Sequence, residues 1–180
     1  MQVMKIVKIF FCLYLVNMVA IAQNYKPVSA LTTFNLRMFG VKVEGSFKNF
    51  SGTIKFDPNN LGASSIAGSV EANTVDTDNS LRNRHLKDKS EFFNVLKFPK
   101  VSMKTTSIIR SGNIFIGTFD LTMKDVTKAV KIPFTVSNDG DKTIFKGNFT
   151  INRRDWGVGG GTMGMSNDVA VSIVLNTVSQ

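Results

Sequence analysis

The sequence predicts an all-β fold with one short helical insertion. Three observations indicate this fold: apolar residues recur at every second position in several runs, turn-forming residues separate the runs at hairpin spacing, and one stretch has helical spacing. The chain has 180 residues, of which 43% are hydrophobic and 19% are charged, a balance that is typical of a single folded domain. We expect residues 1–22 to be a signal peptide and residues 23–180 to form the domain.

The N-terminal segment has the three parts of a secretory signal. Lys5 and Lys8 precede an apolar run, and Ala20-Ile21-Ala22 matches the small residues that signal peptidase accepts. Cleavage there would give a periplasmic or secreted protein that starts at Gln23 and lacks Cys12, the only cysteine. Loss of the two lysines would lower the net charge from +9 to +7. The alternative is an uncleaved anchor, although the apolar run is shorter than the roughly 20 residues of a membrane span.

Five runs of the domain alternate between apolar and polar residues, as half-buried antiparallel strands do. The turn residues 57–60, 111–113 and 138–141 lie between or beside them at hairpin spacing. Pro133 indicates a sheet edge, a bulge or a strand start, because proline lacks the backbone donor. The apolar faces consist of Phe50, Gly52, Ile54 and Phe56; Phe115, Gly117, Phe119, Leu121 and Met123; Val130, Ile132, Phe134 and Val136; Phe145, Gly147, Phe149 and Ile151; and Val169, Val171, Ile173 and Leu175.

Residues 78–96 have the spacing of a helix rather than a strand. Asp78 or Asn79 is expected to cap a short helix that runs through His85, and Ser90 to cap another that starts at Glu91. This stretch is therefore the helical insertion.

The strands must hide their apolar faces in a closed barrel or a two-layer sandwich. Gly52, Gly117 and Gly147 stand beside phenylalanines on those faces. Small residues beside large ones suit a sharply bent barrel, or one with room inside, although ordinary core packing would give the same pattern.

Four segments, in order, resemble the YceI-like family of exported polyisoprenoid-binding proteins, and together they span nearly the whole domain. The segments are FNLRMFGVKVEGSF (34–47) with FSGTIKFDP (50–58), RHL (84–86) with EFFNV (91–95) and FP (98–99), GTFDLTMKDVT (117–127), and INRRDWG (151–157).

The resemblance implies an eight-stranded antiparallel, lipocalin-like barrel around an apolar tunnel. It implies a long-chain isoprenoid, an isoprenoid quinone, a fatty-acid derivative or another amphiphilic lipid as the partner, no cofactor and no enzymatic activity. The sequence leaves open whether the protein forms a homodimer. The residues expected to bind the ligand are Phe34, Leu36, Phe47, Phe50, Ile54, Phe56, His85, Phe92, Phe93, Met103, Phe119, Leu121, Met123, Phe134, Phe149, Arg153 and Trp156.

The polar candidates have two interpretations each. His85 either anchors a ligand head group or bonds to the local backbone. Arg82, Arg84, Arg153 and Arg154 either bind a phosphate or carboxylate, which the planar guanidinium does well, or are solvated loop residues.

Several classes of function are disfavoured by the sequence. A single His and a single Cys exclude a Cys/His zinc site, and no HExxH or GxSxG pattern occurs, so we expect neither a metal site nor a catalytic site. The basic residues are dispersed along the strands instead of forming the stripe that nucleic-acid binding requires. The alternative to a lipid carrier is a ligand-free barrel that acts as an envelope stress protein or an interaction scaffold.

Overall fold

The computed structural model describes residues 22–180, so the predicted signal peptide lies outside the described residues except for Ala22. Within this part of the chain, no helix is long and apolar enough to cross a bilayer. The strands are β1 (Gln23–Met38), β2 (Val41–Phe47), β3 (Ser51–Phe56), β4 (Ser65–Glu71), β5 (Lys100–Ser111), β6 (Ile114–Met123), β7 (Val126–Asp139), β8 (Lys142–Asn152) and β9 (Asp168–Ser179), and the helix α1 is Ser80–Asp88.

The strands form a closed antiparallel barrel with eight positions, which confirms the predicted fold class. From β3 to β9 each strand pairs with the next one along the chain. The long strand β1 pairs with β9, and at its two ends it also pairs with β3 (through Gln23–Tyr25) and with β2 (through Thr32–Met38). Because β2 and β3 both flank β1, they share one position and the nine strands make an eight-stranded barrel. Every pairing that closes the barrel lies within residues 23–179.

The predicted inner faces point into the barrel. In β6 the side chains of Phe115, Phe119 and Leu121 are buried, while Asp120 between them is exposed. Pro133 lies within β7, next to Phe134, where the pairing with β8 begins. Pro133 has a partner in β6, Ile116, and none in β8, so on the β8 side it stands at the edge of the pairing, where proline is tolerated.

The insertion between β4 and β5 contains a single turn of 3-10 helix (Ala72–Thr74) and one α-helix, α1, so the prediction of a second helix from Glu91 is wrong. Asn79 caps α1 as expected, because its side chain accepts a hydrogen bond from the backbone of Arg82. Residues 90–97 form turns instead of a helix. Phe93 N donates back to Leu86 O of α1, and Asn94 has a positive φ of 48° that a helix cannot continue through.

Asp76 anchors α1 to the barrel. Its backbone exchanges two hydrogen bonds with Ser46 of β2, and its carboxylate accepts from Asn83 Nδ2 at 2.9 Å and from the backbone of Asp78 at 3.1 Å. The bond from Asn83 and then the bond from Asp78 lower the pKa of Asp76 below its usual 3.8. Its charge therefore stabilises the fold above about pH 5, and this contribution is lost as the pH falls through the folded-state pKa.

We expect Asp76→Asn to make the melting temperature depend less steeply on pH in the acid range. The variant should melt at a lower temperature than wild type at pH 7. The difference should begin to shrink below about pH 5, because the carboxylate of the unfolded chain takes up its proton first, and it should vanish only when the folded carboxylate is protonated, below pH 3.8. Thermal melts followed by circular dichroism measure both quantities. Asp141→Asn in the β7–β8 turn is the control, and an equal gap between wild type and Asp76→Asn at every pH would contradict this role.

Candidate functional site

One end of the barrel is filled by phenylalanine rings. Phe56 is 2% exposed and lies edge-on to Phe115, Phe134 and Phe145, with centroid separations of 5.0, 6.1 and 5.6 Å. These are preferred edge-to-face geometries for aromatic pairs. We call this group, with Ile54, Ile132 and Leu175 packed around it, the aromatic plug. The rings pack against one another across this end of the barrel.

The other end of the barrel contains a cavity of about 130 Å³ whose wall is almost entirely carbon. An engineered apolar cavity of about 150 Å³ admits benzene, so the space accepts a short hydrocarbon segment as it stands. The side chains of Met103, Val130 and Phe149 touch both the aromatic plug and the apolar cluster around the cavity, and they mark the boundary between the two. The lining residues are Thr32, Thr33, Phe34, Leu36, Phe47, Phe50, Gly68, Ser69, Val70, Leu86, Phe93, Val101, Ser102, Met103, Leu121, Met123, Phe149, Ile151, Arg153, Val158, Met165, Val169, Val171 and Ile173.

The structure separates the predicted ligand residues into two groups. Those that line the cavity are Phe34, Leu36, Phe47, Phe50, Phe93, Met103, Leu121, Met123, Phe149 and Arg153. Those that do not are Ile54, Phe56, Phe119 and Phe134, which pack in the filled end, and His85, Phe92 and Trp156, which lie behind the wall or on the insertion.

Sequence reasoning missed several residues of the wall. Gly68 and Val70 belong to β4, and Val101 belongs to β5. In both strands the run of alternating apolar and polar residues is too short to indicate a strand. Val158 and Met165 lie in the glycine-rich loop after β8, where no periodicity can indicate which residues face inward.

Arg153 holds that loop against the barrel. Its guanidinium donates from Nε to Ser166 O at 2.8 Å, from Nη1 to Val158 O at 2.7 Å and Gly160 O at 3.2 Å, and from Nη2 to Met165 O at 3.2 Å. The side chain thus bonds to four carbonyls of the loop 157–166, which we call the strap. Neither predicted role of Arg153 describes this arrangement, because the guanidinium is neither solvated nor turned toward the cavity as an anion site.

The charge of Arg153 is buried without an acidic partner. The residue is 4% exposed, and it takes part in none of the salt bridges between residues 22 and 180. Burial and then the neighbouring Arg154 lower the pKa of Arg153, although a guanidinium stays protonated in proteins. The carbonyl dipoles of the strap therefore provide the compensation for this cation.

Gly159 allows the strap to approach Arg153. Its φ is +74°, and a Cβ at this position would lie 2.7 Å from Arg153 Nη1 and 3.1 Å from the Phe92 ring. Only glycine fits such a position without strain, because other residues disfavour this backbone conformation and would collide with the guanidinium.

Lys124 ties the strap to the helical insertion. It lies in the β6–β7 turn and donates from Nζ to Ser90 O at 2.7 Å and to Gly157 O at 3.0 Å. Burial lowers the pKa of Lys124, and the nearby Glu91 opposes the change. The β6–β7 turn, the insertion and the strap are thereby connected at the cavity end.

The remaining polar candidates do not reach the cavity. Arg82 donates to the side chain and the carbonyl of Thr77, so it stabilises the start of α1. Arg84 and Arg154 are exposed, and His85 is half-buried on α1. In the described residues, no three His, Cys, Asp or Glu side chains converge as a metal site would require. The chemistry that this site offers is burial of hydrocarbon.

Comparison with known proteins identifies relatives along the whole domain. The model of the YceI-like domain family matches residues 24–177. A UPF0312 protein of Pectobacterium atrosepticum is 30% identical over 172 residues, which cover 89% of each chain. Protein YceI of Salmonella arizonae is 34% identical over 127 residues, which cover 68% of this chain and 66% of that protein.

Solved structures share the barrel. BcnA of Burkholderia cenocepacia superposes with a TM-score of 0.77 at 25% identity, covering 82% of this chain and 95% of that one. A polyisoprenoid binding domain from Saccharophagus degradans, implicated in plant cell wall breakdown, superposes with a TM-score of 0.68 at 14% identity. That match covers 89% of this chain and all of the other, and at this identity it shows a common fold.

Proposed function

This chain belongs to the YceI-like domain family, and we propose that it is an exported lipid-binding protein that sequesters or carries a long isoprenoid or similar amphiphile with its hydrocarbon chain inside the barrel. The observation that carries the proposal is the cavity, whose carbon wall offers a hydrocarbon chain contacts and offers a polar head group none. The polyisoprenoid-binding domain of the same fold supports it.

The energetics favour a long chain over a short one. Each buried methylene contributes about 0.8 kcal/mol, whereas association costs roughly 4–15 kcal/mol. About six carbons, the size of a benzene ring, would recover only about 5 kcal/mol. A chain of about sixteen carbons or more would bind well, so the cavity must widen to admit the ligand that we propose.

Methionines supply side chains that can move aside. Met103, Met123 and Met165 line the cavity, and their unbranched thioethers adopt many rotamers at little cost. Met165 also belongs to the strap, so displacement of the strap and widening of the cavity are linked. The aromatic plug limits the depth of the chain, and we therefore expect the head group to stay at the cavity end of the barrel, near the strap.

The proposal that the protein is exported rests on the N-terminal sequence alone. Residues 1–22 have the charge, apolar run and small residues of a signal peptide. N-terminal sequencing of protein from the producing cells should give Gln23 as the first residue.

A ligand-free scaffold is the second candidate, and the aromatic plug favours it. Half of the barrel is packed by its own side chains, as a purely structural barrel would be. The two candidates differ in whether purified protein contains an extractable lipid.

The test is extraction of purified protein with organic solvent, followed by mass spectrometry, together with a matched pair of substitutions in β9. Val171 lines the cavity between its neighbours Phe34 and Phe149, whereas Val174 lies on the outer face of the same strand. Val171→Phe adds four carbons to the cavity, which displace about four methylenes of ligand. The expected loss of affinity is about 3 kcal/mol, or roughly a hundredfold.

Val174→Phe should bind an added C40 polyprenol like wild type. Wild-type protein that is reproducibly free of lipid and takes up neither polyprenol nor isoprenoid quinone would overturn the proposal in favour of the scaffold. Equal affinities for Val171→Phe and Val174→Phe would place the ligand outside this cavity.

A further inference from the structure

Three apolar side chains stand exposed on loops at the cavity end of the barrel. They are Phe39 in the β1–β2 turn, Leu96 in the insertion and Met163 in the strap, with exposed fractions of 69%, 97% and 83%. Each lies within three residues of a side chain that lines the cavity, namely Leu36, Phe93 and Met165 respectively. We call these three residues the apolar rim.

The loops of the rim are in direct contact with one another. Phe39 N donates to Gly164 O at 2.7 Å, and the Phe39 ring lies over Gly164, where a Cβ would collide with it. Gly159 N donates to Glu91 O, which joins the strap to the insertion. The three loops of the rim therefore adjoin one another at the cavity end of the barrel, and the rim is not a set of unrelated surface residues.

Phe39 occupies a backbone conformation that a large residue disfavours. Its φ is 50° and that of Gly40 is 80°, a pair of positive values that Asn-Gly adopts more readily in a two-residue hairpin. The ring nevertheless stays mostly exposed, so burial within this molecule does not compensate for the strain. A strained, exposed aromatic residue at the entrance of a site indicates a role in contact with a partner.

The charge around the rim identifies the partner. Within three residues of the rim side chains along the chain stand three basic residues, Arg37, Lys42 and Lys97, and no acidic one, although the whole insertion between β4 and β5 carries five basic and four acidic side chains. At the opposite end, Asp139 ends β7, Asp141 lies in the β7–β8 turn and Lys142 begins β8, so acidic side chains outnumber basic ones at this turn. Single apolar tips on separate loops, with lysines beside them, match the interface of an anionic bilayer, where apolar groups insert and basic groups meet phosphates.

We propose that the apolar rim docks on an anionic membrane surface, with Phe39, Leu96 and Met163 inserted among the lipid head groups. The inference rests on the proposed lipid-binding function, because docking would bring the cavity end of the barrel to the bilayer. A lipid chain would then pass between membrane and barrel without crossing water.

The experiment is co-sedimentation with vesicles of equal phosphatidylglycerol and phosphatidylethanolamine, compared with pure phosphatidylcholine. We use the chain from Gln23, which contains every strand of the closed barrel and excludes the apolar N-terminal segment. The rim variant carries Phe39→Asn, Leu96→Ser and Met163→Ser, and Asn suits the positive φ at position 39. The control carries Val28→Ser, Leu31→Ser and Ile109→Ser, three exposed apolar residues outside the rim.

Wild type and control should bind the anionic vesicles. The affinity of the rim variant for these vesicles should be lower by a factor of about ten or more. Binding should fall in high salt and in a Lys89→Glu, Lys97→Glu variant. Equal binding by the rim variant and wild type, or equal binding to both vesicle types, would overturn the proposal. So would a wild-type dimer that the rim substitutions dissociate, because the rim would then be a contact between copies.

Uptake of C40 polyprenol from detergent tests lipid binding in the cavity separately from membrane docking by the rim. The rim variant should take up polyprenol normally although it no longer sediments with vesicles. A protein that sediments with vesicles but takes up no polyprenol would contradict the lipid-carrier function and leave the docking surface intact.

Discussion

Replacement of Phe56 with alanine is expected to lower the free energy of unfolding by about 3–5 kcal/mol. The ring is 2% exposed and meets three other phenyl rings edge-on, so its removal loses both the apolar burial and the aromatic contacts. The three neighbouring rings belong to three different strands of a closed barrel, β6, β7 and β8, which cannot easily collapse into the void. Urea unfolding followed by the fluorescence of Trp156, the only tryptophan, measures the loss.

Phe39→Ala is the matched control for this substitution, because that ring is 69% exposed and alanine disfavours the positive φ at position 39 as phenylalanine does. Its effect on unfolding should be within about 0.5 kcal/mol, as for most surface substitutions. Phe56→Ala should also keep its affinity for polyprenol in conditions where it is folded, because Phe56 does not line the cavity. A loss of less than about 1 kcal/mol would mean that the aromatic plug is loosely packed and that the filled end of the barrel could open.

Five of the nine strands, β3 and β6–β9, and their faces could be predicted from the sequence because alternation is a local property of the pleated backbone. Phe115, Phe119 and Leu121 of β6 point inward for that reason alone. Closure of the barrel could not be predicted from alternation, since it depends on one long strand, β1, that pairs on both edges and joins β9 to β2 and β3. The resemblance to known sequences supplied that information.

The hollow part of the barrel could not be predicted from residue type. Phe56 and Phe47 are the same residue on the same kind of face, yet Phe56 fills the aromatic plug and Phe47 lines the cavity. The difference depends on their height along the barrel axis, which follows from the register of the whole sheet. In the same way, the acceptors of Arg153 are carbonyls of a loop whose path depends on positive-φ glycines, and no side-chain pattern encodes that path.

Replacement of Arg153 with methionine is expected to release the strap and to open the cavity. Methionine keeps much of the side-chain volume but removes all four bonds to the strap. Hydrogen bonds to charged groups contribute about 1.5–3 kcal/mol each, but the desolvated cation offsets part of that gain, so we expect a net loss of about 2–4 kcal/mol. Because Val158 and Met165 of the strap form part of the cavity wall, bound polyprenol should dissociate faster as well.

Hydrogen exchange distinguishes release of the strap from general unfolding. In Arg153→Met the amides of residues 157–166 should exchange faster, while those of β5 and β6 keep their protection. Arg153→Lys should lie between the variant and wild type, since an ammonium retains the charge but offers three donors without the planar fork. Arg154→Met, at an exposed neighbour, should leave the exchange unchanged. If Arg153→Met leaves the strap protected and polyprenol release unaltered, then the glycine turns and the bond from Phe39 to Gly164 hold the strap without the guanidinium, and the buried cation serves another purpose.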